Sequence, residues 1–346
     1  MKVAYLTGIR QVEIREAPQP AIERGGEVLL KIDTVGVCGS DMHYFRTGRI
    51  GDQVVEFPFI VGHECSATVA KVAPGVKRVK VGDRVAVDPL VSCGRCDQCR
   101  AGREHTCRNQ KFLGCPGQAP GCLAEYIVMP EACCYPVPEA VDSEGAVMTE
   151  PMAIGLYARR LSGCAGGAKV GILGAGPIGL CVLLACRAAG AEAAYVTEIR
   201  DYRGQLARRL GADWTGNPRR QDIVKAVIDR EPEGLDVVFE CAGEQSTLDE
   251  AVALARPGGK VMMLGIPEVD RVSVEVAAVR RKEVTLQPVR RQSRCVEDAI
   301  GMIASGKADV RAMVTHRYGL DQTQQAFETI ADYRDNAVKA MIHVAA

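Results

Sequence analysis

Neither sign of charge is in excess in this sequence: lysine and arginine together number 43, and so do aspartate and glutamate. That balance removes the electrostatic case for binding nucleic acid or an anionic membrane surface. Long apolar runs are missing as well. Each apolar stretch is broken by Gly, Pro or a charge before it reaches the roughly 18 residues a spanning helix needs. The stretch MKVAYLTGIRQVEIREAP has no apolar h-region, so no signal peptide is expected. No internal repeat, low-complexity segment or floppy linker is visible. Histidine is scarce, with 5 copies. What remains is an ordinary globular composition, 47% hydrophobic and 25% charged, in a 346-residue chain long enough for about two domains.

Cysteine is the exception, with 15 copies. Without a signal peptide they read as reduced thiols of a cytoplasmic protein, not as a secreted disulfide scaffold. Cys181, Cys186 and Cys241 lie in apolar runs and read as core filler. Cys93, Cys96, Cys99 and Cys107 are different: they follow the pattern C-x2-C-x2-C-x7-C in VSCGRCDQCRAGREHTC. Thiolates two residues apart on a tight turn reach one ion, and a fourth from the next turn closes a tetrahedron. This is the spacing of a structural zinc site. Gly94 and Gly102 let the loop bend.

The first 140 or so residues read as short strands (EVLLKIDTVGVCG, SATVAKVAPGV, DRVAVDP) between Gly and Pro breaks, as in a barrel or sandwich. From Gly145 onward strands alternate with helices, through AAYVTEI, RDYRGQLARRLGA, DVVFECAG, STLDEAVALA and KVMMLGI. That alternation implies a parallel sheet with helices on both faces. The tail (CVEDAIGMIASG, VTHRY, LDQTQQAFETI) is expected to return to the first domain.

Within KVGILGAGPIGL, Gly174, Gly176 and Gly179 form G-x-G-x-x-G after an apolar strand and before a helix, the context a dinucleotide fingerprint requires. Pro177 suits the first helical turn, and the helix N-terminus is expected to hold phosphates. Glu198, about 20 residues past the last glycine, is placed to bind ribose hydroxyls and repel a 2′-phosphate. NAD is therefore expected over NADP. Arg200 and Arg203 are a counter-signal, although Arg203 could equally stack on adenine or cap the cofactor edge.

A second constellation precedes the cysteine quartet: Cys38, Ser40, Asp41, His43 and Tyr44 in VGVCGSDMHYF, then His63 and Glu64 in VGHECSATV. Cys, His and a carboxylate can build a catalytic zinc site with an open position. Spacing alone leaves this open beside the reading of ordinary core residues. Glu150, in MTEPMAIGLYA, is a third carboxylate candidate; its plain alternative is an acid favoured near a helix N-terminus.

Taken together, GVCGSDMHYFRTGRIGD, FPFIVGHECSATV, VGDRVAVDP, the cysteine quartet, EPMAIGLYA, GAGPIG and VTHRYGLDQTQQAFE resemble the zinc-dependent medium-chain dehydrogenases, in their sorbitol (polyol) dehydrogenase branch. The resemblance runs essentially end to end. It implies an α/β chain with an N-terminal β-rich GroES-like catalytic domain, residues 1–149 with 288–346, carrying both zinc sites. A Rossmann doubly wound parallel-sheet domain, residues 150–287, would bind NAD.

The resemblance also implies roles. Cys38 and His63 would be catalytic zinc ligands, with Glu64 or Glu150 as the acidic partner. Ser40 would sit beside the reacting alcohol, His43 would end a proton relay, and Asp41 would fix the His63 tautomer. Ile178, Leu264, Gly265 and Ile266 would join the coenzyme site. Tyr44, Phe112 and Arg291 would touch substrate. The family often flanks that arginine with aromatics, whereas this chain reads PVRRQSRCV, so Arg290 and Arg291 compete for the position. The implied activity is oxidation of a polyol's secondary alcohol to a ketone by NAD+ in a homo-oligomer, a tetramer or a dimer. Threonine, butanediol or secondary-alcohol oxidation is the alternative. A zinc-free reductase and a thiol-based NAD sensor are the competing classes.

Overall fold

A computed structural model describes residues 1–344. The chain forms two compact units. The first comprises Met1–Glu150, Val296–Ala304 and the chain from Val310 onward; the second comprises Pro151–Cys295 and Ser305–Asp309.

The first unit is built on a seven-stranded sheet. Its strands run in the order Cys134–Pro136, Arg84–Val87, Glu64–Val72, Glu27–Gly36, Lys339–His343 and Val314–Gly319, and Tyr126–Pro130 also pairs with Glu27–Gly36. All pairings are antiparallel except that of the last two strands in this order. Glu27–Gly36 is central, and its residues alternate with the pleat to bury Val28, Leu30 and Ile32 completely. Phe45 and Phe327 meet edge to face, centroids 5.4 Å apart. Burying each ring stabilises the unit by about 1.5–3 kcal/mol.

The β-rich reading of this region missed the helix Gly39–Thr47, which carries the CGSDMHYF box. It is held at its start by Asp41, whose carboxylate accepts from the Cys38 N–H at 3.0 Å. It stops at Gly48, which is left-handed (φ 73) and donates to the Tyr44 carbonyl.

The second unit is a six-stranded, wholly parallel sheet. Its strands in chain order are Lys169–Leu173, Ala193–Thr197, Trp214–Gly216, Leu235–Glu240, Ala255–Met263 and Thr285–Pro288. In space they run third, second, first, fourth, fifth, sixth. This is the dinucleotide-binding order, whose ligand crevice lies beyond the carboxyl ends of the first and fourth strands. Among the described residues no helix is long and apolar enough to cross a membrane.

Candidate metal centres and coenzyme site

The quartet loop folds as its spacing demands. Gly94 (φ 69) and Gly102 (φ 71) take the left-handed conformation at its two bends. The Sγ atoms of Cys93, Cys96, Cys99 and Cys107 gather within 4.8 Å of one another. Main-chain N–H groups are aimed at the sulfurs, with Cys93 and Asn109 donating to Cys107 Sγ at 3.2 and 3.4 Å. The N–H groups of Cys99 and Arg108 lower the Cys96 thiol to about 6, whereas burial pushes Cys99 up to about 11. Arg108 clamps Asp97 with two bonds of 2.6 and 2.9 Å and closes the loop on itself. Four sulfurs supported by N–H donors fit a thiolate-bound zinc.

The second cluster, in the first unit, comprises Cys38, His63 and Glu64, whose ligand atoms also lie within 4.8 Å of one another. Asp41 ties it together. One carboxylate oxygen accepts from the Cys38 N–H; the other accepts from the Gly62 N–H at 3.2 Å and faces His63 Nδ1 at 3.5 Å. Burial, and then the Glu64 carboxylate, push the Cys38 thiol up. For His63 burial opposes the charged ring, but Cys38 and Asp41 outweigh it and hold its pKa well above the ordinary value.

Glu150 lies outside that three-residue group, yet interacts with His63 and Glu64. It is buried, and its Oε2 has no hydrogen-bond partner. Burial pushes its pKa up to about 7. A half-buried thiol beside a buried imidazole and buried carboxylates, one with an unbonded oxygen, fits a divalent cation. Phe112 packs against His63 with ring centroids 5.3 Å apart. Ser40 and His43 are half-buried on the Gly39–Thr47 helix. Tyr44 is buried there, its hydroxyl on Gln53 at 3.2 Å.

Sequence reasoning missed Lys339. It lies in the strand Lys339–His343, is 1% exposed, forms an ion pair with Glu64 Oε2, and donates to the Val37 carbonyl at 3.0 Å. Gly36 makes room for the pair: a Cβ there would lie 2.5 Å from Glu64 Oε2 and 3.1 Å from Lys339 Cε. The available signal was one lysine inside the apolar run AVKAMIHV. A charge at an inward strand position requires a partner.

In the second unit the glycine motif makes a tight strand-to-helix turn. Gly174 is left-handed (φ 103). Gly176 precedes the helix Pro177–Ala188, with Ile178 half-buried in the first turn. A Cβ on Gly179 would collide with the Gly174 carbonyl. Glu198 follows the second strand and accepts from Ala175 N–H at 3.1 Å and Arg200 N–H at 3.0 Å. The buried Arg203 guanidinium reaches 3.8 Å from where a Gly176 Cβ would sit. Leu264, Gly265 and Ile266 follow the fifth strand and are partly exposed. Arg290 is exposed, whereas Arg291 is half-buried with left-handed backbone (φ 53).

Two family matches accord with these units. Residues 24–139 match the alcohol dehydrogenase GroES-like domain, and residues 177–305 match the zinc-binding dehydrogenase family. A sorbitol dehydrogenase of Bacillus subtilis (strain 168) is 36% identical over 99% of this chain and 97% of its own length. The chain belongs to the zinc-dependent medium-chain dehydrogenases, in their sorbitol dehydrogenase-like branch. An L-idonate 5-dehydrogenase of Vitis vinifera is 34% identical over 99% of this chain and 94% of its own. The structure of an Escherichia coli oxidoreductase/dehydrogenase of unknown specificity superposes with a TM-score of 0.94 at 34% identity, over 100% of this chain and 99% of that one. This medium-chain dehydrogenase is accordingly a zinc- and NAD-dependent oxidoreductase.

Two outcomes follow for this dehydrogenase. Cys107→Ser should cost about one zinc per chain and lower the thermal midpoint while sparing hydride transfer in the protein that stays folded. Equal heat stability and zinc content would refute a structural role for the quartet. Glu198→Ala should weaken NAD+ binding by about 10- to 100-fold, the worth of a charged hydrogen bond, and relax the preference against NADP+. An unchanged preference ratio would remove Glu198 from coenzyme selection.

Proposed function

We propose that this dehydrogenase oxidises a secondary alcohol of a polyol to a ketone and reduces NAD+ to NADH. The observation that carries this is the convergence of Cys38, His63 and Glu64 within 4.8 Å. The substrate class is supported by the relatives acting on sorbitol and L-idonate. Zinc, when bound, supplies Lewis acidity that lowers an alcohol's pKa, as it lowers that of water to about 7, and NAD+ supplies the hydride acceptor. Cys38 and His63, with Glu64 or Glu150, hold the metal. Asp41 faces His63 Nδ1 and so leaves Nε2 for that task. Ser40 Oγ would accept the substrate's hydroxyl proton as it gives up its own, and His43 would pass a proton outward. One proton leaves per turnover, so low pH favours the reverse direction.

Tyr44, Phe112 and Arg291 are assigned to the polyol. The glycine turn with Pro177 and Ile178 receives the pyrophosphate, Glu198 the adenine ribose, Arg203 the phosphate edge, and Leu264, Gly265 and Ile266 the nicotinamide half.

The test is NADH production by metal-quantified protein on sorbitol, xylitol, inositols, threonine and 2,3-butanediol. Turnover of a polyol with about two zincs per chain is the expected result. Turnover of threonine or butanediol alone would overturn the substrate class, and activity without metal would overturn the mechanism.

We also infer a homotetramer working in a reducing cytoplasm. Apolar residues support association: Val269 and Val276 are 57% and 69% exposed, on the segment leading to the edge strand Thr285–Pro288. Fifteen cysteines outside any disulfide support the compartment. A monomer in sedimentation would remove the first of these assignments.

A further inference from the structure

Glu240 is the last residue of the fourth strand of the parallel sheet and is 3% exposed. Its Oε1 accepts three hydrogen bonds: from the N–H groups of Ala242 and Gly243 at 2.8 and 2.7 Å, and from Thr247 Oγ1 at 2.8 Å. Its main-chain carbonyl accepts from the N–H groups of Leu264 and Gly265 at 2.8 and 3.0 Å. One residue thus fixes the turn after the fourth strand and the turn after the fifth. The two turns are in contact. A Cβ on Gly243 would lie 2.6 Å from the Ile266 carbonyl oxygen, and one on Gly265 would lie 2.7 Å from Glu240 Oε2. The first strand's turn adjoins them, since a Cβ on Gly174 would lie 3.1 Å from Ala242 N.

This is the switch point of the sheet, where each half of a doubly wound fold receives one mononucleotide. The first three strands, with Gly174–Gly179 and Glu198, serve the adenine half. The turns held by Glu240 lie on the other half. We infer that Glu240 is a positioning residue for the nicotinamide half of the coenzyme, which it serves by fixing the main chain of Ala242–Gly243 and Leu264–Ile266. The inference rests on the coenzyme reading above. Removing the carboxylate leaves the part-buried N–H groups of Ala242 and Gly243 without their acceptor, and the turn after the fourth strand must rearrange to satisfy them.

The experiment is equilibrium titration of the purified, zinc-replete enzyme with NADH, followed by nucleotide fluorescence, and with ADP-ribose, followed by calorimetry. ADP-ribose carries the adenine half and the pyrophosphate but no nicotinamide. Glu240→Ala should weaken NADH by about tenfold or more and leave ADP-ribose within about twofold. Glu240→Gln retains an acceptor oxygen and should restore NADH binding. A residue that merely stabilises the fold would weaken both ligands together. Equal losses for the two ligands, or no loss for either, overturn the inference. Wild-type protein that binds neither ligand overturns the coenzyme reading and the inference with it. Should Glu240→Ala not fold, Thr247→Val removes one donor to the same oxygen; it should shift the ratio of the two affinities in the same direction, and an unchanged ratio counts against the role of Glu240.

Discussion

Lys339→Met should destabilise the first unit by about 3–5 kcal/mol, the usual cost of removing one partner from a buried ion pair. Methionine keeps most of the lysine stem's volume, so packing changes little. What is lost is the charge opposite Glu64 and the donor to the Val37 carbonyl. The side chains of both partners are nearly inaccessible, at 1% and 2% exposure. Water therefore cannot replace the missing partner, and in the metal-free protein the Glu64 carboxylate is left without its cation. The double variant Lys339→Met/Glu64→Gln should recover most of the loss, because the buried charge leaves with its partner. Denaturant titration of the single and double variants measures both. A single variant within about 1 kcal/mol of wild type, the range of an exposed pair, would show that the pair contributes no more than a surface contact. Gly36→Ala should act in the same direction by another route, since its methyl group would meet Glu64 Oε2 at 2.5 Å and Val147 Cγ1 at 2.8 Å.

The features that could be read from the sequence were those whose chemistry is local. Cys93 to Cys107 span fifteen residues, and a loop that short has few ways to present four sulfurs. The glycine motif likewise needs only a strand before it and a helix after it. Cys38 and His63 are separated by more chain, and there the resemblance decided what spacing left open. Lys339 and Glu64 lie 275 residues apart. Only the register that places Gly36 opposite both Glu64 and Met341 brings their strands together. The helix Gly39–Thr47 was missed for a different reason. Its sequence is not strongly amphipathic, and its main cues are the Asp41 cap and the left-handed Gly48. Glu240 was hidden because DVVFECAG reads as a buried strand with an acid at its end. The bonds from Leu264 and Gly265 exist only once the fifth strand has been laid beside the fourth.

Cys38→Ala should lower polyol oxidation by about 1,000-fold or more, because a Lewis acid contributes several kcal/mol and each 1.36 kcal/mol is a factor of ten. Zinc should fall from about two to about one per chain, with the remaining ion on the quartet. The thermal midpoint should change less than in Cys107→Ser. The reason lies in how Cys38 is held: Asp41 accepts from its main-chain N–H, not from its thiol. Alanine keeps that N–H, so the start of the helix Gly39–Thr47 and the Gly62 turn stay in place. NADH binding should also persist, because Gly174, Gly176, Gly179 and Glu198 belong to the other unit. Metal analysis, NADH titration and initial rates on one preparation separate three outcomes. Loss of one zinc with intact NADH binding and no turnover identifies Cys38 as a ligand on which the reaction depends. Loss of turnover with both zincs retained would move Cys38 from the metal to the substrate. Retained turnover with one zinc would show that the quartet's ion is the only metal the protein requires, and the cluster of Cys38, His63 and Glu64 would then need another explanation.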